Sequence, residues 1–423
     1  MTTQAIDRPF VASTALRSVN FFNGRLLTGD DLSREQATQE ALRRRLGRAA
    51  GEGIAFGFEV EEQPALTSKQ KPVVTVSAGL AVTRSGIALQ LDTDLDVAIY
   101  RDAATAPPGA EAGNLFADCQ PSASGTYTAG AGVYVLTVGP GEEPEGRAPV
   151  NGLGNETAVC NVALEAEALA FRLIRLSVPH DRLVEKELLR NRIAYDCFGV
   201  AALTEVVIDP FAPGVTSYGL VDTLRTQTLS DDEVPLAVIG WSIDDGIQFV
   251  DLWSVRRRLT RRSPEGDWTS FVSDRRRAEG EAMFLQFQAQ IDDLVARPSS
   301  QFAAVGDEFE RLPPIGIVPI AGGTRPGLDV PNFFAGLTTS GPAFVEGARL
   351  DALVCGALAF GPIAVDDDEL IWLYEVHENA DSTVWTTPPG GPYVVFASGY
   401  VPYAADAQFD LSHFDYANFA LNS

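Results

Sequence analysis

The sequence predicts an α+β fold that is rich in β-structure, and changes in its apolar periodicity carry that prediction. One amphipathic helix is predicted from about Gly29 to Ala50, with favourable residues at both ends. From Ile54 the apolar residues alternate with a period of two, which is typical of strands. Helical patterns return mainly around residues 181–200 and 279–296, so most of the remaining chain is predicted to be strand and loop.

The N-terminal helix carries polar signals at each end. Thr28 or Asp30 can cap its first turn, where acidic side chains suit the positive end of the helix dipole. The last turns carry a basic group made of Arg43, Arg44, Arg45 and Arg48. The apolar stripe is narrow, which favours docking on a partner or a small sheet over burial in a deep core. That stripe consists of Leu32, Ala41, Leu42, Leu46 and Ala49.

Four units are predicted along the 423 residues. Residues 1–53 form an arm and a docking helix, and residues 54–180 form a β-domain. Residues 181–298 form a mixed α/β domain with an arginine-rich segment and a helix, and residues 299–423 form a β-rich C-terminal domain.

Smaller elements follow from turn residues and alternation. Hairpin turns are predicted at Arg84-Ser85-Gly86 and at Asp244-Asp245-Gly246. Residues 131–139 are predicted to form a strand, and residues 140–156 an irregular stretch. A strand-like run is predicted at residues 348–360.

Charge and composition exclude several functions. The formal net charge is −25, from 57 acidic and 32 basic residues, which opposes non-specific binding to nucleic acid. No apolar run approaches the roughly 18 residues of a membrane span, so no membrane insertion is expected. The N-terminus lacks the pattern of a secretion signal, so assembly in the cytoplasm is expected.

Signatures of catalysis are sparse. The sequence has no nucleophile elbow, no phosphate-binding loop and no H-E-x-x-H motif, and it holds 3 histidines and 4 scattered cysteines. We therefore predict no enzymatic activity, no catalytic residue, no metal and no cofactor. The run from Asp366 to Glu369 could bind calcium, but it lacks the spacing of an EF-hand and is better interpreted as a solvated turn.

Paired phenylalanines stand beside glycines in two places, Phe21-Phe22 and Phe333-Phe334. Such pairs anchor interfaces or cores, and the sequence alone does not separate the two roles. The arginine groups likewise fit contacts with acidic surface of a neighbour or neutralisation of this chain's own carboxylates.

One segment has a family resemblance. The run VNFFNGRLLTGDDLSREQ, the arginine-rich helix, and then GEGIAFGFEV and VTVSAGLAVTRSGIAL resemble a segment in structural proteins of phage tails and phage-like contractile injection systems. The matching positions are Phe22, Gly24, Arg25, Leu26, Leu27, Thr28, Asp31, Leu32, Glu35, Gln36, Gly79, Leu80, Ala81 and Gly86.

The resemblance implies a particle component without enzymatic activity, and it leaves open a place in the baseplate, fibre, cage or cap. Its expected partners are other particle proteins, namely baseplate, sheath, tube or cap components. A homo-oligomer is expected, with a trimer as one candidate, and release from the cell with the particle stays open. The predicted docking residues are Phe21, Phe22, Asn23, Gly24, Arg25, Leu26, Leu27, Asp31, Glu35, Arg43, Arg44, Arg45, Phe333 and Phe334.

The alternative function is recognition of a carbohydrate or cell surface by such a particle. Aromatic residues of the C-terminal part would contact glycans, although their β-propensity favours a place in the strand core. They are Trp372, Tyr374, Trp385, Tyr393 and Tyr400.

Overall fold

The structure is a computed structural model that describes most of the chain. The described residues are 15–68, 72–99, 132–149, 160–178, 186–199, 219–242, 244–261, 274–298, 302–322, 326–377, 393–399 and 401. Helices combine with sheets that are mostly antiparallel, which confirms the α+β, β-rich prediction. Trp385 of the predicted aromatic set, and Tyr400, lie outside the described residues.

The N-terminal part consists of one long helix and two small antiparallel sheets. Helix α1 spans Gly29–Ala50, as its caps predict. The first sheet has the order β1-β4-β5 and the second the order β2-β3-β6. The strands are β1 (Gly53–Gly57), β2 (Val60–Glu62), β3 (Val73–Val76), β4 (Gly79–Val82), β5 (Ala88–Leu91) and β6 (Leu95–Ala98). The predicted turn at Arg84-Ser85-Gly86 joins β4 to β5.

A four-stranded sheet with the order β10-β9-β7-β8 forms the middle of the molecule. Its strands are β7 (Gly132–Pro149), β8 (Cys160–Arg175), β9 (Val234–Ser242) and β10 (Gly246–Asp251). The turn predicted at residues 244–246 joins β9 to β10. Residues 140–149 belong to β7, so the prediction of an irregular stretch there is wrong. Backbone pairing with β8 holds these residues extended despite their Pro and Gly content.

Both faces of the middle sheet are buried. Leu136 and Leu236 pack with apolar residues of the two small sheets, whereas Val135 and Val238 pack against helix α2 (Lys186–Phe198). Helix α3 (Leu220–Gln227) lies on this second face too. Strands β7 and β8 precede the predicted boundary between residues 180 and 181, whereas β9 and β10 follow it. The middle sheet therefore contains strands from both sides of that boundary.

The C-terminal part is built on helix α4 (Asp274–Val295) and a second four-stranded sheet. That sheet has the order β12-β16-β15-β13, in which β13 and β15 are parallel. The other elements here are α5 (Val305–Glu308), β11 (Arg311–Leu312), β12 (Ile315–Pro319), α6 (Val330–Phe333), β13 (Thr339–Glu346), α7 (Leu350–Ala357), β14 (Ile363–Ala364), β15 (Ile371–His377) and β16 (Tyr393–Ser398). Helix α4 buries Phe287 and Ile291 in the core of this part, so it packs with residues beyond the predicted boundary at 298.

The strand predicted at residues 348–360 is wrong, because α7 forms there instead. Ala and Leu are strong helix formers, and the segment has an apolar face at helical spacing. Leu353 and Ala357, four residues apart, are buried against the C-terminal sheet.

A buried polar cluster joins the middle and C-terminal parts. The Asp251 carboxylate accepts a hydrogen bond from Nε of Arg190 at 2.7 Å and one from Nε2 of Gln286 at 3.1 Å. Arg190 lies on α2 and Gln286 on α4, so one carboxylate at the end of β10 connects two helices. Ser254 donates to the other oxygen of Asp251 through both its backbone N–H and its hydroxyl.

Candidate attachment site

The arm before α1 folds back along the helix. The backbone N–H of Val19 donates to Oε2 of Glu35 at 3.0 Å. One turn further on, the Thr38 hydroxyl donates to the carbonyl of Arg17 at 3.1 Å. Val19 and Thr38 are the buried residues of this contact. The arm therefore runs antiparallel to the first half of the helix.

A tight turn reverses the chain between the arm and the helix. The N–H of Arg25 donates to the carbonyl of Phe22 at 3.2 Å, and Gly24 has a φ of +90°. Glycine adopts this left-handed conformation without a steric penalty, so Asn23-Gly24 forms the turn. We call residues 21–27 the hook.

Arg25 holds the hook in shape. Its guanidinium donates to the Asn20 carbonyl at 2.8 Å and to Oδ1 of Asp31 at 2.6 Å. Asp31 in turn forms a capping box with Thr28 at the start of α1. Hydrogen bonds from the Thr28 backbone and side chain, with a smaller contribution from Arg25, lower the pKa of Asp31. Arg25, Asp31 and Glu35 were predicted to dock a partner, and the structure places all three in internal bonds that shape the site.

The hook and helix expose an unusual amount of apolar side chain. Among the described residues, seven of the thirteen exposed large apolar side chains lie between positions 21 and 46. Leu26 is 90% exposed and Phe22 is 62% exposed. The other five are Phe21, Leu27, Leu32, Leu42 and Leu46. Thr38 is the one buried residue of the 22-residue helix.

The exposed leucines of α1 follow a heptad spacing. Leu32 and Leu46 are two heptads apart, and Leu42 lies one turn before Leu46. Positions at this spacing form one seam of a helix, as in coiled coils. Glu35 and Gln39 occupy the polar centre of the seam, where Glu35 binds the arm. The result is a seam with leucines at both ends and a polar centre, next to the exposed hook.

Backbone contacts fix the C-terminal end of α1 to the rest of the molecule. A Cβ at Gly47 would lie 2.1 Å from the carbonyl oxygen of Gly86. The helix therefore packs so closely on the β4–β5 turn that only glycine fits at position 47. Beyond the helix, Glu52 and Thr260 exchange two backbone hydrogen bonds of 2.9 and 3.0 Å. The helix is about 33 Å long by its rise per residue, and it is anchored at one end.

An arginine-lined pocket lies beside this anchor. It has a volume of about 420 Å³. Its lining residues are Leu16, Ala41, Arg44, Arg45, Arg48, Arg84, Ser85 and Asp231. Nε of Arg84 is 3.7 Å from Glu52 and 3.8 Å from Asp231, and this buried nitrogen has no hydrogen-bond partner among the described residues. The lining carries four guanidinium groups and one carboxylate, and Arg44 also pairs with Glu40 at 2.6 Å outside the lining.

Two predicted docking residues are core residues. Phe333 and Phe334 are 0% and 4% exposed, and their rings pack edge to face with centroids 5.0 Å apart. Phe309 and Phe396 complete this aromatic cluster beneath the C-terminal sheet. The prediction that Phe333 and Phe334 contact a partner is therefore wrong. The alternative interpretation, in which the two phenylalanines anchor a core, is correct, because the C-terminal sheet and its helices bury both rings.

Sequence reasoning missed that an arginine after β10 binds buried backbone carbonyls. Arg256 donates to the carbonyls of Phe58 and Gly57 at 2.8 and 2.6 Å. Phe58 has a positive φ of 54° and is fully buried, so its carbonyl needs a partner in the interior. Arg258 pairs with Glu281 of α4 at 2.9 Å. These two side chains join parts of this chain to one another.

Two described members of the predicted aromatic set, Trp372 and Tyr374, belong to the interior of the C-terminal part. Tyr374 is fully buried, and Trp372 is half-buried and stacked on it with ring centroids 6.4 Å apart. Both pack in the core between the sheet and helix α7. This arrangement corresponds to the strand-core interpretation of these two residues.

Within the described ranges, no helix has both the length and the apolar content needed to cross a bilayer. The same ranges contain no group of three or more His, Cys, Asp and Glu side chains arranged to hold a metal ion. The predicted acidic run at Asp366–Glu369 forms a turn, in which the three aspartates are exposed.

Comparison with known proteins gives little. No protein-family model matches the chain, and no curated protein matches it. Among solved structures, a crystal structure of TssK is similar at 13% sequence identity with a TM-score of 0.21. The match covers 50% of this chain and 53% of the TssK chain, so this chain spans about half of that protein. A likeness at this level establishes neither the fold nor the function.

Proposed function

We propose that this chain is a non-enzymatic structural subunit of a contractile injection system or phage-tail-like particle. Its hook and helix α1 attach it to another particle protein, such as a baseplate, sheath, tube or cap component. The observation that carries this proposal is the concentration of exposed apolar side chains in residues 21–46. Soluble proteins rarely leave such a patch uncovered unless another molecule covers it.

The form of the patch supports a docking role. The hook is a short loop held by Arg25 and by the capping box, so its backbone already has one shape before binding. Preorganisation reduces the conformational entropy lost on association. The adjacent helix offers a leucine seam of the kind that packs into a groove or against another helix.

The anchor at the end of the helix supports the same role. The helix is joined to the body through the Gly47–Gly86 contact and the backbone pairing of Glu52 with Thr260. A rigid joint gives the attached subunit a defined direction relative to its neighbour. Around a symmetric particle, repeated weak contacts of this kind add through effective concentration.

Incorporation into assembled particles tests the proposal. A fourfold variant truncates the hook, with Phe21→Ala, Phe22→Ala, Leu26→Ala and Leu27→Ala. The chain offers a matched control of two phenylalanines and two leucines that are exposed elsewhere, namely Phe56→Ala, Phe302→Ala, Leu66→Ala and Leu95→Ala. We expect the hook variant to fold and to be lost from purified particles, while the control stays. Equal incorporation of both variants would reject the attachment role of the hook.

A further inference from the structure

A long acidic ribbon extends from the middle sheet. Strand β9 pairs with β7 only as far as Val138, whereas β7 and β8 remain paired out to Pro149 and Cys160. Residues 140–149 and 160–169 therefore form a two-stranded ribbon about 30 Å long by the rise per residue. We call it the acidic ribbon. Its exposed carboxylates belong to Glu142, Glu143, Glu145, Glu165 and Glu167.

The ribbon combines two features that are unfavourable in isolation. Glu142 lies directly opposite Glu167 in the ladder, and both are exposed. Like charges at directly opposite positions destabilise a strand pair, and a two-stranded ribbon alone is only marginally stable in water. Glu165 lies on the same face of the ribbon as this pair, because side chains alternate along a strand. A cationic surface against this face would relieve the repulsion and support the ribbon.

The arginine-lined pocket has that composition. It presents Arg45 and Arg48 from the helix and Arg84 from the β4–β5 turn, together with the apolar side chains of Leu16 and Ala41. Guanidinium groups suit this role because each can bind two carboxylate oxygens at once. Burial lowers the pKa of Arg225, Glu52 opposes this effect, and Arg84 adds a smaller lowering contribution.

We propose that the acidic ribbon of one copy of this chain docks on the arginine-lined pocket of a second copy. The Glu142–Glu167 pair receives an arginine of the pocket, with Glu165 on the same face of the ribbon. Ribbon and pocket are different surfaces, so the contact is head-to-tail and builds rings or open chains rather than twofold dimers. The proposal rests on the proposed function, in which this chain is a repeated particle subunit, and it names the surfaces between copies.

Self-association of the purified full-length chain tests this contact in the absence of any other particle protein. We would measure mass distributions by sedimentation velocity over a range of protein concentrations, at low and high salt. The ribbon variant is Glu142→Arg/Glu167→Arg, and the pocket variant is Arg45→Glu/Arg48→Glu. We expect the wild type to associate more weakly at high salt, because exposed charges are screened. Each charge-reversal variant is expected to associate at least tenfold more weakly at low salt.

Recombining the reversed charges gives the decisive comparison. An equimolar mixture of the two variants restores opposite charges at every ribbon–pocket contact, so it is expected to associate again. A single chain that carries all four charge reversals is also expected to associate. Its association would show that the four substitutions leave the fold intact. Matched controls make equal charge changes at exposed residues elsewhere, namely Asp366→Arg/Asp367→Arg and Arg261→Glu/Arg277→Glu. These controls are expected to associate like the wild type.

Three results would overturn the contact between copies. They are a wild-type chain that stays monomeric at low salt, reversal variants that behave like the controls, and a mixture that fails to reassociate. None of these results bears on incorporation of the hook variant into particles. Failure of this inference is therefore distinguishable from failure of the proposed function.

Discussion

The backbone N–H of Val19 donates to Oε2 of Glu35, which lies sixteen residues further along the chain. The side-chain amide of Gln39 donates to Oε1 of the same carboxylate at 3.0 Å. One glutamate in the helix seam therefore holds the arm in place, and its position fixes where the hook begins. The hydrogen bond from Gln39, followed by that from Val19, lowers the pKa of Glu35 below its usual value of 4.5.

Replacing Glu35 by Ala is expected to release the arm without unfolding the helix. Hydrogen exchange of a peptide that contains Val19 should accelerate, because its amide loses its acceptor. Gln36→Ala is the control, since Gln36 is exposed on the same helix. Unchanged exchange in the Glu35 variant would show that this bond does not hold the arm.

The same bond predicts a pH dependence. Because the pKa of Glu35 is lowered in the folded chain, its stabilising contribution is complete above pH 4.5 and is lost as the pH falls through the lowered value. Exchange of the Val19 peptide, corrected for the intrinsic pH effect, should therefore rise at the acidic end only. Protection that is constant down to the acidic limit would contradict this assignment.

A methyl group at position 47 is expected to disturb the joint between helix and body. The new Cβ would lie 2.1 Å from the backbone oxygen of Gly86, and backbone atoms cannot move aside cheaply. We expect Gly47→Ala to lower the free energy of unfolding by about 1–3 kcal/mol, as overpacking typically does. Gly29→Ala is the matched control in the same helix, because no atom lies within 4 Å of its added Cβ. Denaturant titrations of the two variants would compare them, and equal stabilities would contradict the close contact.

The carboxylate of Asp251 is expected to matter for the stability of the whole molecule. It is 1% exposed, and Asp251→Ala removes the acceptor shared by Arg190, Gln286 and Ser254, while Arg190 keeps its pair with the exposed Asp293. Such a change costs about 3–5 kcal/mol in free energy of unfolding. Glu40→Ala, which breaks the exposed helical pair with Arg44, is expected to cost about 0.5 kcal/mol or less. Chemical denaturation measures the free energy of unfolding of both variants. Similar losses in the two variants would show that the buried pair contributes no more to stability than the exposed pair.

Cys197 and Cys355 should differ in reactivity. Burial raises the pKa of the Cys197 thiol to about 12, whereas Cys355 is exposed on α7. Alkylation of the native chain at pH 8, followed by peptide mass spectrometry, should modify Cys355 rapidly and leave Cys197 unmodified. Rapid labelling of Cys197 would show that α2 is not packed on the sheet as described.

The sequence predicts best where local chemistry decides the structure. The ends of α1 follow from Thr28 and from Gly51, and the two hairpin turns follow from their glycines, because caps and turns need particular residues. The arm's return along the helix could not be predicted, since Glu35 in a helix seam shows no sign of a partner at Val19.

Features that depend on distant contacts could not be predicted from local patterns. Residues 140–149 contain Pro and Gly, and only pairing with β8 makes them a strand. Arg256 binds the carbonyl of Phe58, which is 198 residues away in sequence. Phe21-Phe22 and Phe333-Phe334 have the same local sequence pattern. The first pair is exposed and the second is buried, and this difference depends on the folded C-terminal core.

Photo-crosslinking from the hook tests the central claim most directly. A photoreactive amino acid at position 26, where Leu26 is 90% exposed, would be compared with one at the exposed position 66 in assembled particles. The attachment role predicts crosslinks from position 26 to another particle protein and none from position 66. A position 26 that forms no crosslink, in particles that contain the chain, would contradict it.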